Sequence, residues 1–540
     1  MDDGSEPTQL ECACREIIKE LIEQPTYPKE KITQLKNRIL KKYTLSHTMK
    51  NSVIMEYATE YELEIILPIL RRRSTRTISG VTVVAVMTKP LDCPGNCLFC
   101  PGSDSQPGEK AAKSYTGQEP AAKRSITYGY DPYLQTRHRL LDLHAIGHKT
   151  DKIEIILMGG TFLSASDIYQ QEFVKNCYDA ITHFYEPGTP PIRSDSLNSA
   201  ITLAESSAVR IVGLTIETRP DYCLPPHIDK MLSYGGTRVE IGVQTTRESI
   251  LSSLNRGHTI QDSIDAIQYA KDSGFKINTH MMPNLPGSSP EEDIEDFMGL
   301  FRNSDFRPDM LKIYPTLVVK GTKLYDMWKK GEYKSYSLDT TIDLIAEMKS
   351  QIPKYVRIQR IQRDIPAYLI EDGVKKSNLR QMVQKRLKER NEHCNCIRCR
   401  EQGFVKHSNL DILNFKLERM DYEASKGLEI FLSYEQENTI LGYLRLRKPS
   451  KHVHRSELKD NTMIVREIRV VGELVPRTEK PLDNQVQHRG YGQKLLEKAE
   501  EIAREEFGMK KLSIISGVGV REYFYKLGYH LDGVYVSKHL

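Results

Sequence analysis

The chain predicts an α/β fold: a full or partial (β/α) barrel to about residue 370, then a separate mixed α/β domain. Three observations predict it. From residue 81 onward, short apolar runs alternate with longer amphipathic stretches, as repeated βα units around a parallel sheet require. The segments that follow these runs are rich in Gly, Pro and polar residues. Beyond Asp411 the pattern changes to neighbouring apolar runs joined by a short polar turn.

Taken in order, residues 15–76 read as helical, with 13 basic and 8 acidic residues and a basic end at Arg71-Arg72-Arg73 and Arg76. A solvated charged surface accounts for such a run as readily as a binding face does. The barrel is expected over 77–370. Its strands are Val81–Met87, Ile153–Met158, Arg210–Ile216, Val239–Val243, Lys276–Met281 and Met310–Tyr314. They are rich in β-branched residues and do not alternate, which predicts burial on both faces. Chemistry in such a barrel sits at the C-terminal strand ends. The segments there are Cys93–Gly102, Gly159-Gly160-Thr161, Glu217-Thr218-Arg219-Pro220, Gln244-Thr245 and Pro283-Asn284-Leu285-Pro286-Gly287. Each alone fits a plain turn, and together they point to one shared site.

Residues 371–409 are expected to form a basic linker, since 374–406 carries ten Lys/Arg against three Glu. In the last domain, 410–540, Ile430–Tyr434 and Ile440–Leu446 flank Glu435-Gln436-Glu437-Asn438 as a hairpin. A strand to Val471 and a helix from Gly490 follow.

Composition bounds the function. With 540 residues, several folding units are expected. Lys+Arg at 77 against Asp+Glu at 72 leaves a net charge of +5, too small to announce a nucleic-acid binder, so any basic footprint is local. At 39% hydrophobic and 28% charged the chain is neither disordered nor fibrous. No apolar run approaches the ~20 residues a membrane span needs. The start, Met1-Asp2-Asp3-Gly4-Ser5-Glu6-Pro7, lacks the basic and apolar stretches of a secretory signal, so a cytoplasmic location is expected. Six of the ten cysteines fall in two tight clusters, which favours metal or redox chemistry over structural disulfides.

Cys93-Pro94-Gly95-Asn96-Cys97-Leu98-Phe99-Cys100 is C-x3-C-x2-C. Three thiolates fill three corners of a [4Fe–4S] cube and leave one iron open to chelate a small ligand and pass it an electron. A structural zinc knuckle is the competing reading, but it calls for a fourth close ligand, and the nearest histidine after Cys100 is His138. The spacing, directly after the first barrel strand, resembles the radical S-adenosylmethionine superfamily. Met158-Gly159-Gly160-Thr161 resembles that superfamily's glycine-rich loop for the methionine end of S-adenosylmethionine.

At the other end of the chain, Gln487-His488-Arg489-Gly490-Tyr491-Gly492 leads into an amphipathic helix. Glycines there let backbone N–H groups approach an anion, and the helix N-terminus adds positive potential, which suits a pyrophosphate. Q-x-x-G-x-G after a strand resembles the acetyl-CoA loop of the GCN5-related (GNAT) acetyltransferases.

The combination of a radical cluster, a basic linker and an acetyltransferase domain resembles the catalytic subunit family of Elongator, which modifies the wobble uridine of tRNA. Further motifs carry the likeness: Ser114-Tyr115-Thr116-Gly117, Tyr130-Asp131-Pro132-Tyr133, Met158 to Phe162, Glu217 to Asp221, Gln362-Arg363-Asp364-Ile365-Pro366 and Ser516-Gly517-Val518-Gly519-Val520-Arg521. The resemblance implies that acetyl-CoA, S-adenosylmethionine and a tRNA with uridine at position 34 give 5-carboxymethyluridine. A 5′-deoxyadenosyl radical would take a hydrogen from the acetyl methyl, the carbon radical would add to C5, and thioester hydrolysis would release CoA. It further implies that Lys152 handles acetyl-CoA and that Glu467, Ile468, Arg469 and Val470 form the CoA-binding strand. Gln487, Gly490, Tyr491, Gly492 and Gln493 would form its loop, and Tyr523 would stand at the thioester end of the pocket. A surface lysine and a packing tyrosine are the plain alternatives for Lys152 and Tyr523. The chain departs from some relatives at Phe524, where they have a second tyrosine, and in its closer first two cysteines.

Cys394-Asn395-Cys396-Ile397-Arg398-Cys399 offers three soft ligands inside the basic linker, which suits zinc with His393, His407 or a distant cysteine as the fourth ligand. Reduced linker cysteines and a second iron–sulfur cluster are the alternatives. By the resemblance, residues 1–76 and the linker would contact tRNA at the anticodon stem-loop, and a homodimer or accessory subunits are expected. A protein lysine acetyltransferase with a structural cluster, and a sensing scaffold without turnover, are the rival functions.

Overall fold

The computed structural model describes residues 8–45, 49–70, 79–102, 111–185, 191–403, 414–472 and 489–540. The extreme N-terminus, the basic run at 71–76, Lys406 and His407 lie outside the described residues.

Helices at Gln9–Glu23, Ile32–Lys42, Asn51–Glu56 and Glu60–Leu70 enclose an apolar cluster of their own. In the first, Ala13, Cys14, Ile17, Ile18 and Leu21 recur at helical spacing and are buried. Its outer face carries charges that pair across helices, Arg15 with Glu62 at 2.7 Å and Glu16 with Lys42 at 2.7 Å.

The barrel strands are β1 (Thr82–Met87), β2 (Lys152–Met158), β3 (Arg210–Thr218), β4 (Arg238–Gln244), β5 (Lys276–Met281) and β6 (Met310–Ile313). Beyond them lie β7 (Val318–Val319), β8 (Arg357–Arg360) and β9 (Ile370–Asp372). The parallel sheet runs β1-β2-β3-β4-β5-β6-β8, and its two end strands do not pair, so the barrel is partial. All six strands expected from the apolar runs are present. β8 has no apolar run to announce it. β7 leaves the sheet to pair with β9.

β4 and β6 are buried on both faces, as expected, but only the outer face of the sheet is apolar. The outer face, with Ile153, Ile155, Leu157, Val239, Ile241, Val243 and Ile277, packs on helices such as Asp167–Thr182. The inner face is polar. Arg238 pairs with Glu154 and Lys312 with Glu240, while Asn278 donates to Glu240 at 3.0 Å and His280 meets it at 3.1 Å. Buried charges are tolerated here because each has a partner. Burial alone would raise the Glu240 carboxyl, but Lys312, His280 and Arg238 hold it well below the usual range.

The C-terminal sheet contains β10 (Lys416–Ala424), β11 (Gly427–Gln436), β12 (Thr439–Lys448), β13 (Thr462–Val470), β14 (Lys511–Ile514), β15 (His530–Asp532) and β16 (Tyr535–His539). Its order is β10-β11-β12-β13-β14-β16-β15, antiparallel except at β13–β14. The expected hairpin is β11–β12, with Glu437 at φ +53 in its turn. The parallel pairing ends at Val465↔Ile514 while β13 continues to Val470, so the two strands splay and one edge of β13 is left without β14.

This sheet packs against the N-terminal ends of the barrel strands. A Cβ on Gly517 or Gly519 would overlap the backbone of Val212 or of Ile211 and Arg210, so only glycine allows that approach. Arg445, Arg447 and Arg466 are fully buried in the seam, where Arg447 meets Asp272 at 2.6 Å and Glu429 at 2.9 Å.

Candidate active sites at the two ends of the barrel

The cysteine loop follows β1. Backbone bonds pin it to its neighbours, from Leu98 N–H to Leu254 C=O at 3.1 Å and from Leu324 N–H to Leu98 C=O at 2.9 Å. The Cys93 sulfur lies 3.8 Å from Thr161 Oγ1, Cys100 lies 3.6 Å from Ser114 Oγ, and Cys97 accepts from Arg256 at 3.3 Å. Burial raises the Cys100 thiol, and Cys97 adds to it. Among the described residues, the one set of three ligands whose atoms all lie within 4.8 Å of one another is Cys394, Cys396 and Cys399. The sulfurs of Cys93, Cys97 and Cys100 are not all within that distance of one another, so they are not gathered for a single ion.

Gly159 and Gly160 follow β2 at φ +149 and +80. A Cβ on Gly159 would overlap Thr88 Oγ1, and one on Gly160 would lie 3.1 Å from the Lys113 carbonyl. The loop is thus drawn against the segments on either side of the cysteines. Three of the quoted motifs meet here: Tyr115 donates to Glu217 at 2.7 Å, and Arg363 donates to the Ser114 carbonyl. Lys312 is 3.9 Å from Glu217 and connects this group to Glu240 and His280. The sequence reading missed Lys312, Glu240, His280 and Arg256. For Lys312 and Glu240 the signal is a charge standing inside an apolar run, as in Met310-Leu311-Lys312-Ile313, whereas Arg256 lies in the polar turn Asn255-Arg256-Gly257 and gave none.

Lys152 is elsewhere. It is the first residue of β2, at the strand end opposite the cysteines and about 20 Å of extended chain away. Its register partner is Arg210, whose guanidinium meets Glu522 at 3.0 Å, one residue before Tyr523.

That end also holds the C-terminal glycine loop. Gly490, at φ +79, caps the helix Tyr491–Glu501, whose first turn carries no acidic residue to compete with an anion. A Cβ on Gly492 would stand 3.7 Å from Val470 and 4.0 Å from the Tyr523 hydroxyl, so these three positions converge. Tyr523 is 44% exposed, open enough to meet a ligand. Arg469 donates to Ser79 at 3.4 Å, tying β13 to the chain entering β1. Ile468 is half-buried and Gln493 donates to Glu497 at 2.9 Å. The Glu467 side chain turns inward, accepting from Tyr443 at 3.0 Å and Arg445 at 2.9 Å, so only its backbone is left for a ligand. Gln487 lies outside the described residues.

In the second cysteine cluster, Lys349 points its ammonium at the sulfurs, 3.2 Å from Cys394 and 3.7 Å from Cys399. His393 is exposed and outside the group. Around it, the linker charges divide. Arg400 is buried on Glu435 at 2.8 Å and Arg390 pairs with Asp343 at 2.6 Å, as does Arg386, whereas Lys375, Lys376, Lys385 and Lys388 are exposed.

Comparison with known proteins agrees with this geometry. Residues 90–301 match the Radical SAM superfamily, 308–389 the radical SAM C-terminal domain, 10–78 the ELP3 N-terminal domain and 405–529 the acetyltransferase (GNAT) family. Fold and sites together define a radical SAM enzyme that carries a GNAT acetyltransferase domain. The tRNA uridine(34) acetyltransferase of Methanocaldococcus jannaschii is 48% identical, over 98% of each chain. Elongator complex protein 3 of Dictyostelium discoideum is 44% identical, over 99% of this chain and 96% of that one. The solved structure of Methanocaldococcus infernus Elp3, lacking its residues 1–46, superposes with a TM-score of 0.75 at 46% identity, covering 86% of this chain and all of that one. The chain belongs to the Elongator complex protein 3 and tRNA uridine(34) acetyltransferase family.

Among the described residues, no helix is long and apolar enough to cross a membrane.

Proposed function

We propose that this enzyme uses acetyl-CoA and S-adenosylmethionine to place a carboxymethyl group on C5 of uridine 34 of tRNA, acting in the cytoplasm. The observation that carries the reading is one chain with a three-cysteine loop at one end of the barrel and a pyrophosphate-type glycine loop at the other. Relatives named for tRNA uridine(34) support the substrate. C5 of uracil is neither acidic nor nucleophilic enough for ordinary acyl transfer, which is why a radical route suits a carbon–carbon bond there.

Cys93, Cys97 and Cys100 would hold the [4Fe–4S] cluster, which when bound supplies the electron that cleaves S-adenosylmethionine. Gly159 and Gly160 leave room for the methionine end of that nucleotide. N–H groups at Gly490–Gln493 take the pyrophosphate of CoA, and the open edge of Glu467–Val470 offers peptide hydrogen bonds to its amide arm. The Tyr523 hydroxyl donates to the thioester sulfur. Lys152 stands at the same end and counters acyl-donor charge. The Glu154–Arg238 and Glu240–Lys312 pairs stand on the inner face between the two ends.

The helical cap of residues 1–76 and the linker at 371–409 supply phosphate contacts, and zinc on Cys394, Cys396 and Cys399 holds the linker in place. Accessory subunits or a second copy complete the assembly. The test is to incubate reduced, anaerobically reconstituted protein with tRNA, acetyl-CoA and S-adenosylmethionine, omit each in turn, and digest the tRNA for mass spectrometry. 5-Carboxymethyluridine that requires all three confirms the reading. Acetylation of a basic peptide without S-adenosylmethionine cleavage would replace it with a lysine acetyltransferase.

A further inference from the structure

Arg256 is 8% exposed, and among the described residues it meets no carboxylate. Its Nη2 donates to the Gly242 carbonyl at 2.9 Å and its Nη1 to the Cys97 sulfur at 3.3 Å. A buried guanidinium without an anion is costly, and among the described residues the Cys97 sulfur is the one group it touches that would carry negative charge as a cluster ligand. The slot is made for it: Gly242 lies on β4, and a Cβ there would come within 2.5 Å of Arg256 Nη2.

A second arginine approaches the same loop. Arg219, 3% exposed, grips Asp221 through Nε at 2.9 Å and Nη2 at 2.8 Å. Its Nη1 is buried without a partner and lies where a side chain on Gly95, between Cys93 and Cys97, would stand. Asp221 balances Arg219, so Arg256 is the uncompensated charge.

We propose that Arg256 raises the reduction potential of the cluster at Cys93, Cys97 and Cys100, with Arg219 as a weaker second contributor. The inference rests on the cluster reading above. Reduction adds one negative charge to a group held by three thiolates. A fixed cation and an N–H donor on one of those sulfurs stabilise the reduced form more than the oxidised one, and hydrogen bonds to cluster sulfurs are a principal means by which proteins tune such potentials. Arg256 acts through Cys97, as a positioning and charge-compensating residue.

The test is a potentiometric titration of the anaerobically reconstituted full-length protein, followed by electron paramagnetic resonance and with iron counted per chain. Arg256→Gln is expected to lower the ratio of reduced to oxidised cluster about tenfold at fixed solution potential, which for a one-electron couple is about 59 mV. Arg256→Lys, which keeps the charge and loses the fork, should give a smaller fall in the same direction. Gly242→Ala, which pushes the guanidinium aside without changing it, should also lower the ratio. Unchanged ratios in Arg256→Gln and Gly242→Ala overturn the inference. So does loss of iron from all three variants, which would make Arg256 a support for the loop. A wild-type protein that takes up no four-iron cluster defeats the cluster reading itself, an outcome seen before any variant is made.

Discussion

Arg466, on β13 of the acetyltransferase domain, lies 2.6 and 2.8 Å from the two carboxylate oxygens of Asp309, the residue just before barrel strand β6. Both side chains are fully buried, and Lys271, Arg445 and Glu429 complete the group. The two domains are thus joined through β13, the strand proposed above to bind the acyl donor. Breaking such a pair leaves an unmatched buried charge, so Asp309→Asn should cost about 3–5 kcal/mol. It should also split a single denaturation transition into two, which calorimetry on the full chain would detect.

The same group sets a pH dependence. Burial alone would raise the Asp309 carboxyl, but Arg466, Lys271 and Arg445 outweigh it and hold the group far below the usual range. A carboxyl with a depressed folded pKa contributes stability above its unfolded value of about 3.9 and loses it as pH falls below that. Urea midpoints measured from pH 7 to pH 3 should therefore fall more steeply for the wild type than for Asp309→Asn. Parallel curves would mean that the seam does not report on this carboxylate.

Inside the barrel, Glu240 is the shared partner of Lys312, His280 and Asn278. Lys312→Met strands the carboxylate, at a cost of about 3–5 kcal/mol. Adding Glu240→Gln removes the stranded charge, so the double variant should be more stable than the single, with a coupling of roughly 0.5–3 kcal/mol in a double-mutant cycle.

These two networks mark the limit of what could be read in the sequence. The βα alternation was legible because outward residues such as Ile153, Ile155 and Leu157 must be apolar to seat helices. The inner residues answer to one another across strands, and no local pattern says that Arg238 will find Glu154 or that Lys312 will find Glu240. β8 was missed because Arg357-Ile358-Gln359-Arg360 looks like loop; Arg357 is satisfied by Glu401, which is distant in the chain. The cysteine and glycine loops were legible because each site is contiguous. Glu467 was placed on the correct strand, but its side chain turns to Tyr443 and Arg445, a choice made by the neighbouring strand.

At the acyl-donor end, Lys152→Ala should weaken acetyl-CoA binding several-fold by calorimetric titration and leave S-adenosylmethionine cleavage unchanged, because the two sites are a strand length apart. Gly490→Ala, strained at positive φ by about 1 kcal/mol, should act in the same direction. An effect of Lys152→Ala on cleavage but not on binding would move Lys152 to the cluster's chemistry.

For tRNA, exposure selects the charges to reverse. Arg386 and Arg390 already serve Asp343 and Arg400 serves Glu435, so their loss would act through stability. Reversal of Lys375, Lys376, Lys385 and Lys388 to Glu should abolish the gel shift at moderate salt while acetyl-CoA binding persists. A single reversal should reduce the slope of log affinity against log salt by about one contact's worth, roughly 0.7–0.9. Unchanged tRNA affinity in the quadruple variant would remove the linker from the binding surface.

The second cysteine cluster ties three elements together. Lys349 ends the helix Leu338–Ser350, Ile397 N–H donates to Val356 C=O at 2.9 Å just before β8, and Glu401 bridges to Ile440 on β12. Three sulfurs within 4.8 Å suit one tetrahedral ion and are too close for a cube. Elemental analysis should therefore find one zinc per chain beside the iron. Cys396→Ser should lose the zinc, keep the iron and cost roughly 1–3 kcal/mol of stability. Because the Lys349 ammonium compensates the charge of the sulfurs, Lys349→Met should weaken zinc retention against a chelator more than Lys349→His, which can supply a ligand nitrogen in its place. Equal retention in both variants would place the fourth ligand elsewhere, and full stability of Cys396→Ser without zinc would make the cluster an ordinary set of reduced thiols.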